Sequence, residues 1–198
     1  MNILVDLLPT SIEINNKEYE INSDFRTSVL FELLIQDDSI GEDEKILMAL
    51  NLYYPVIPDD IQEAVNKMLW FYRCGKDIKK SKGNNKGKSV TRIYSFEHDD
   101  DYIYAAFLDQ YNVDLQDIKY LHWWKFKAMF NSLKEDIKIV KIMEYRGIDL
   151  SKIKDKDQKA YYKRMKDLYE IPMSKDESEK LSEIEEALLN GKDIKGLL

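Results

Sequence analysis

One short stretch past the middle of the chain carries most of the structural information, and it reads Leu121-His122-Trp123-Trp124-Lys125-Phe126-Lys127. Neighbouring residues on a helix point about 100° apart, so the two tryptophans cannot share one face. With Tyr120 and Phe130 nearby, a helix over residues 119–133 would be apolar over most of its circumference. Such a helix is surrounded by other elements. The stretch therefore predicts a helical core built around this segment.

The tryptophans also permit two functional interpretations. An exposed indole could anchor a partner protein, because tryptophan is enriched among the residues that dominate interface energies. Aromatic side chains also stack on the bases of single-stranded nucleic acid. One tryptophan could be buried while the other is used, so a role in the core excludes neither interpretation.

The composition is that of a folded, acidic protein. The 198 residues suffice for one compact domain or two small ones, and 44% hydrophobic residues suffice for a core. Four prolines and seven glycines are too few for a loop-rich β-sandwich. The formal net charge of -7 makes nucleic acid an unfavourable partner, because duplex-binding proteins usually carry an excess of basic residues.

The sequence favours a cytoplasmic protein. Cys74 is the single cysteine, so no disulfide can form within the chain, which is typical of a reducing compartment. The first residues lack the basic region and the long apolar region of a signal peptide. The chain contains no run of about 18 apolar residues, so we expect no membrane partner.

Residues 1–74 predict a small domain with a β-hairpin and short helices. Apolar and polar residues alternate within residues 11–23, as in half-buried strands, and Asn15-Asn16-Lys17 supplies the turn. Ser23 or Asp24 can cap the helix that follows. The spacing of apolar residues predicts three helices, over residues 25–35, 43–53 and 59–73.

Residues 75–93 interrupt this pattern. They contain three glycines and many lysines but almost no apolar residues, so burial cannot offset the entropy cost of ordering them. We predict a flexible, basic linker between two domains. The basic arm of residues 75–92 would also suit contact with nucleic acid or an acidic partner.

Residues 94–172 predict a second, all-helical domain. Its helices are expected over residues 97–111, 119–133, 135–146 and 155–169. Gly147 is placed to end the third of them. Tyr161, Met165 and Leu168 are expected to form one apolar side of the last.

Residues 173–198 form a charged, amphipathic C-terminal tail in which Leu181, Ile184 and Leu188 recur at helical spacing. The tail is either a helix that needs a partner or a segment that frays. The whole chain is thus predicted to be mainly α (α+β), with an N-terminal hairpin and short helices followed by the all-helical part.

The sequence contains no motif of a catalytic, cofactor or metal site. Residues 97–101, Glu-His-Asp-Asp-Asp, point in different directions at a helix start, so they suit capping and the helix dipole better than a divalent ion. No paired spacing of zinc ligands or glycine-rich phosphate loop occurs. Basic residues after Cys74 could lower the pKa of its thiol, but every histidine lies across the linker. We therefore predict a protein that is not an enzyme and binds no metal or cofactor.

Several stretches of the second half carry a recognisable pattern. They are Asp101-Tyr102-Ile103-Tyr104-Ala105-Ala106-Phe107, Tyr111, Asp114-Leu115, Leu121-His122-Trp123-Trp124-Lys125-Phe126, Tyr145-Arg146-Gly147-Ile148-Asp149-Leu150, Lys152-Ile153-Lys154-Asp155-Lys156-Asp157-Gln158 and Tyr161-Tyr162-Lys163-Arg164-Met165-Lys166. The pattern resembles the bacteriophage gene product fifteen family. The resemblance is specific over residues 94–172, looser over the first 75 residues, and does not reach the tail. Gly147, where many relatives are expected to carry serine, is a minor departure.

The resemblance implies a protein of long-tailed phages or prophages of Gram-positive bacteria, encoded where tail assembly chaperones are found. The implied activity is non-enzymatic: binding of the phage tape measure protein and assistance to tail tube assembly. The major tail protein is a further implied partner, and self-association into a homo-oligomer is compatible with the family. The implied location is the host bacterial cytoplasm, with the protein absent from the mature virion.

The family signature and its aromatic side chains give a set of candidate partner-binding residues. These are His122, Trp123, Trp124, Phe126, Phe130, Tyr145 and Arg146. A helical domain with aromatic anchors can bury the apolar stripe of an amphipathic helix. Two other functions stay open: a nucleic-acid-associated phage protein that uses the 75–92 arm, and a minor structural component of the tail.

Overall fold

The computed structural model describes residues 2–76 and 92–172. Within these ranges the chain forms one antiparallel hairpin followed by seven α-helices, which confirms the mainly α fold class. The elements are β1 (Ser11–Ile14), β2 (Lys17–Glu20), α1 (Phe25–Gln36), α2 (Glu42–Tyr53), α3 (Ile61–Tyr72), α4 (Asp100–Tyr111), α5 (Trp123–Asn131), α6 (Lys138–Gly147), a 3-10 turn (Leu150–Lys152) and α7 (Lys156–Leu168). Most of the predicted linker and the whole predicted tail lie outside the described residues.

The predicted hairpin is confirmed. Asn15 and Asn16 form a two-residue turn with φ values of 51° and 60°, a left-handed conformation that asparagine tolerates better than most residues. Ile12 and Ile14 point to the buried face of the hairpin, and Tyr19 stands opposite Ile12. This face of β1 lies against α3.

The first three helices begin close to the predicted positions, and in α1 and α3 a local side chain caps the start. The Asp24 carboxylate accepts a hydrogen bond from the Arg26 N–H at the start of α1, and the Asp60 carboxylate accepts one from the Glu63 N–H in α3. Helix α2 starts with Glu42, Asp43 and Glu44, whose charges complement the helix dipole.

Three of the later helices begin three or four residues after their predicted positions. Helix α4 starts at Asp100 rather than 97, α5 at Trp123 rather than 119, and α6 at Lys138 rather than 135. For α5 the reason is a tertiary contact: Asp24 and His122 form an antiparallel bridge, so the backbone before Trp123 is extended. Sequence spacing alone cannot indicate such a bridge.

Buried side chains from both halves of the chain belong to one hydrophobic cluster. Tyr53 and Phe71 from the first half are fully buried, as are Phe107, Trp123 and Phe126 from the second. The two segments predicted as separate domains therefore share one core in the described residues. The division of the chain into two domains stays a prediction.

The predicted apolar side of α7 is covered only in part. Of its three residues, Met165 is half-buried, whereas Tyr161 and Leu168 are exposed. The Tyr161 hydroxyl still lies 3.3 Å from that of Tyr145 on α6, and the rings of Tyr162 and Tyr169 lie 6.2 and 6.1 Å from that of Tyr145. An amphipathic pattern identifies an apolar stripe, but the neighbouring helix decides which edge of it is covered.

Candidate functional site

The structure places six of the seven candidate partner-binding residues in the protein interior. Five of these six lie on α5 or cap its start, and the sixth lies at the end of α6. They are His122, Trp123, Trp124, Phe126, Phe130 and Arg146, whereas Tyr145 is half-buried. In this conformation the six side chains present almost no surface to a partner, so their contacts within the chain define what they do.

His122 joins three parts of the chain. Its Nδ1 accepts a hydrogen bond from the Trp124 N–H at 3.0 Å and so caps α5. Its Nε2 donates to the Pro9 carbonyl oxygen, also at 3.0 Å. The backbone on either side of His122 pairs with residues 23–25, through Phe25 N–H to Leu121 O and Trp123 N–H to Ser23 O, both 2.8 Å. His122 thus fixes the start of α5 and the segment before β1 at once.

The two tryptophans act together on the end of α3. The indole N–H of Trp123 donates to Tyr72 O, and that of Trp124 donates to Phe71 O, each at 2.8 Å. The last four carbonyls of a helix have no partner within it. The Trp123 bond satisfies the Tyr72 carbonyl, and the Trp124 bond adds to the one that the Phe71 carbonyl accepts from the Cys74 N–H at 2.9 Å. This explains how two adjacent tryptophans on one helix can both be buried.

Gly75 completes this tryptophan contact. Its φ of +68° lies in the left-handed region, which glycine adopts without steric cost. A Cβ atom at this position would lie 2.9 Å from Cη2 of Trp124 and 3.3 Å from Cζ2 of Trp70. Only a residue without a side chain therefore fits between the two indoles.

Phe126 lies at the centre of an aromatic column. Its ring stacks on Phe25 of α1, with centroids 4.8 Å apart, and on Phe107 of α4, with centroids 4.7 Å apart. Trp123 and Phe130 stack against it along α5. The column connects three helices that are distant in sequence. Phe126 therefore packs α1, α4 and α5 together in the shared core.

Arg146 forms a buried ion pair with Asp99. The guanidinium donates two hydrogen bonds to the carboxylate, at 2.6 and 2.9 Å, and a third to the Ile93 carbonyl oxygen at 3.1 Å. The Ser95 N–H donates to the same carboxylate at 2.8 Å. Asp99 was expected to cap α4 with its side chain; it occupies the cap position, but its carboxylate binds Arg146 and Ser95 instead.

One polar cluster beside the tryptophans was not predicted from the sequence. Glu32 is buried on α1, where it accepts a hydrogen bond from the Tyr72 hydroxyl and lies 3.8 Å from Nζ of Lys127. Lys127 also donates to the Tyr94 hydroxyl at 3.0 Å. Burial, and then the charge of Glu32, raise the pKa values of Tyr72 and Tyr94 above the usual value. Both phenols stay protonated, which suits a structural link between α1, α3 and α5.

The environment of Cys74 differs from the expectation. Burial raises the pKa of its thiol, and this effect exceeds the opposing influence of Lys127 and Lys76. A thiol with a raised pKa is a poor nucleophile at neutral pH. The expected lowering by the basic residues is therefore wrong.

The described ranges give no indication of a metal site or a membrane span. Across residues 2–76 and 92–172, no three His, Cys, Asp or Glu side chains converge as a metal ion requires. Every helix in the same ranges is too short or too polar to cross a bilayer.

A pH dependence of stability follows from His122. Burial lowers its pKa below the usual 6.5, and protonation of Nδ1 would remove the cap of α5. As the pH falls below about 6.5, the unfolded chain binds a proton that the folded chain excludes. We therefore expect the free energy of unfolding to fall from pH 6.5 downwards, by at most about 1.4 kcal/mol per pH unit, until the pH reaches the folded pKa.

Guanidinium unfolding at pH 7.5, 6.5 and 5.5 measures this effect. The His122→Asn variant should be less stable at pH 7.5 but should lose the part of the decline that His122 causes. His98→Asn, at the other histidine of the chain, is the control and should keep the full decline. An equal decline in the His122→Asn variant and the unmodified protein would refute the assignment.

With the signature residues buried, the exposed apolar residues become the candidates for binding. The most exposed of them form an apolar arm, residues 3–7, in which Leu4, Val5 and Leu7 are 87, 79 and 94% exposed. Leu8 packs partly against the core, and the Pro9 carbonyl accepts the hydrogen bond from His122. His122 therefore fixes the position of the residues that directly follow the arm.

Comparison with known proteins gives one match. A family model described as Bacteriophage Gp15 protein matches residues 4–171. No curated protein and no solved structure matches the chain. The match covers the apolar arm from Leu4 onward, the hairpin and all seven helices of the described residues.

Proposed function

The chain belongs to the bacteriophage Gp15 protein family, and from this membership we propose that it is a tail assembly chaperone that binds the phage tape measure protein. The proposed activity is not enzymatic. The chain holds its partner in the host cytoplasm while the tail tube assembles, and the chain itself is absent from the mature virion. The major tail protein is a second proposed partner.

The apolar arm supports a binding role. Soluble monomers rarely leave neighbouring large aliphatic side chains fully exposed unless the surface has a use. Leu4, Val5 and Leu7 are exposed together, while His122 and Leu8 hold the following residues in place. Long amphipathic helices, such as those expected of a tape measure protein, carry apolar stripes that an aliphatic surface of this kind can cover.

Co-expression with the tape measure protein tests the proposal. We expect the unmodified chain to keep the tape measure protein soluble and to co-purify with it. Burying one leucine contributes about 1.5–3 kcal/mol. The double variant Leu4→Asp, Leu7→Asp should therefore weaken binding by at least about tenfold.

Two controls make the result interpretable. Leu47→Asp changes an equally apolar side chain, 56% exposed on α2, and should leave binding unchanged. Thermal unfolding of the double variant should match that of the unmodified protein, since residues 4 and 7 are exposed. The proposed function fails if the tape measure protein aggregates equally with and without the chain. It also fails if mass spectrometry finds the chain in mature particles, as expected of a structural tail component.

A further inference from the structure

Helix α7 carries an exposed basic stripe, which consists of Lys156, Lys159 and Lys163. All three side chains are exposed, and their spacing places them within about 60° of one another around the helix. The inner side of α7 is a different one, since it brings Tyr162 and Tyr169 against α6. The stripe is therefore open to a partner along its whole length.

The charge of the stripe is not balanced within the described ranges. None of the ion pairs in residues 2–76 and 92–172 includes Lys156, Lys159 or Lys163. Lys159 and Lys163 are four residues apart, where like charges destabilise a helix. Lys156 is the first residue of α7, at the positive end of the helix dipole. The stripe therefore costs stability in a single copy, and an acidic surface laid against it would remove this cost.

An acidic groove lies beside the hairpin. Its volume is about 590 Å³, and its walls include Glu18 and Glu20 of β2 together with Thr10, Ser11 and Asn22. The Asn22 amide nitrogen donates to a backbone carbonyl, which leaves the amide oxygen as an acceptor. Carboxylate, hydroxyl and amide oxygens all accept hydrogen bonds from an ammonium group. The groove therefore suits lysine side chains.

The charge of the hairpin is also unbalanced. Glu13 stands directly opposite Glu18 in the strand register, where like charges destabilise an antiparallel pair. In the part of the chain that the structure describes, no ion pair includes Glu13, Glu18 or Glu20. Residues 1–76 contain fourteen acidic and six basic side chains. A basic surface seated in the groove would therefore stabilise the hairpin as well.

The spacing of the two sets of charges agrees. Four residues of helix rise about 6 Å, which is the separation of Lys159 and Lys163 along α7. Two residues of strand span about 6.6 Å, which is the separation of Glu18 and Glu20 along β2. A helix laid along the groove can therefore bring each of the two lysines to one of the two glutamates. The helix is convex and the groove is concave, so their shapes also agree.

The stripe and the groove lie on separate parts of one copy. Helix α7 packs on α6 and on the 3-10 turn, whereas the hairpin packs on α3. Over the two described ranges, no ion pair joins α7 to the hairpin. The stripe of one copy therefore requires the groove of another copy.

We propose that the chain associates head to tail, with the basic stripe of one copy seated in the acidic groove of a second copy. Because the two surfaces differ, each added copy leaves one of each free, and the association gives chains or closed rings. Exposed ion pairs contribute little each, so the association is weak and depends on concentration and salt. The proposal does not depend on the proposed function, which uses the apolar arm.

Analytical ultracentrifugation of the full chain measures the association. At low salt, the weight-average mass should rise with protein concentration. High salt should return it to the mass of one copy, because salt screens exposed charges. A mass of one copy at low salt and at every protein concentration up to about 1 mM would overturn the proposal.

Two variants test whether the stripe and the groove form the interface. Lys159→Gln with Lys163→Gln neutralises the stripe, and Glu18→Gln with Glu20→Gln neutralises the groove. Each variant alone should associate at least about tenfold more weakly than the unmodified protein. An equimolar mixture should form dimers with one copy of each variant, because one copy keeps the groove and the other keeps the stripe. Since no second interface is left, the mixture should not grow beyond two copies.

A matched control separates the stripe from the overall charge. Lys119→Gln with Lys134→Gln removes the same charge at two exposed lysines outside α7 and should associate as the unmodified protein does. Equal weakening in this control and in the stripe variant would overturn the proposal. So would a mixture of the stripe and groove variants that does not associate.

A gel-shift assay with an oligothymidylate probe tests the other polyanion that a basic stripe could bind. We expect no shift by the unmodified chain at the salt concentration at which the copies associate, because the net charge of the chain is -7. A shift that the stripe variant loses would assign the stripe to nucleic acid and would overturn the proposal.

Discussion

Replacing Arg146 by methionine is expected to lower the free energy of unfolding by about 3–5 kcal/mol. The substitution keeps most of the side-chain volume but leaves the Asp99 carboxylate, which is 1% exposed, without its counter-charge. It also removes the donor to the Ile93 carbonyl. A buried carboxylate that loses its partner must either stay charged at high cost or take up a proton.

Guanidinium unfolding followed by tryptophan fluorescence measures this loss. The double variant Asp99→Leu, Arg146→Met removes both charges and should lose less than the two single losses added together, because neither charge is left alone. Lys152→Met is the surface control. Its pair with Asp149 is solvent-exposed, so a change within about 0.5 kcal/mol is expected. A loss below about 1 kcal/mol for Arg146→Met would contradict the structural role of the pair.

Phe126→Ala is expected to cost about 3–5 kcal/mol of unfolding free energy. Phe126 is 1% exposed and stacks on both Phe25 and Phe107. Removing the ring leaves a cavity where α1, α4 and α5 meet. Phe126→Leu fills most of that space and should cost much less, about 1–1.5 kcal/mol.

This second prediction changes how binding experiments on the signature should be interpreted. The sequence alone made Trp124 and Phe126 candidates for partner binding. Both side chains are buried in the core. A loss of binding after their replacement by alanine would therefore result from unfolding and would not identify a contact with the partner. Leu47→Ala, at an exposed position on α2, is the control for Phe126→Ala and should change stability by less than about 0.5 kcal/mol. Equal losses at the two positions would contradict the assignment of Phe126 to the core.

The local elements could be predicted from sequence because local chemistry specifies them. Two asparagines that tolerate positive φ predicted the hairpin turn, and Asp24 predicted the start of α1. The alternation of Ile12 and Ile14 predicted the buried face of the hairpin. Each of these inferences uses residues within a few positions of one another.

The candidate site could be predicted only in part. The sequence identified residues 121–126 as the centre of the molecule, and the apolar circumference of the helix predicted that it would be surrounded. It could not predict that the two indoles donate to the end of α3, because those bonds join residues 51 and 53 positions apart. The Asp99–Arg146 pair spans 47 positions, and its two members were interpreted separately, as a helix cap and as a partner contact.

The sequence by itself determined that this is a mainly helical protein with an aromatic core helix at Leu121–Lys127, and several stretches of its second half carried the resemblance to the phage family. Only the tertiary structure showed that the aromatic side chains of this stretch are buried and join distant segments of the chain. Hydrophobic spacing specifies which residues are driven out of water. What they pack against depends on segments far away in sequence, such as residues 23–25 and the end of α3.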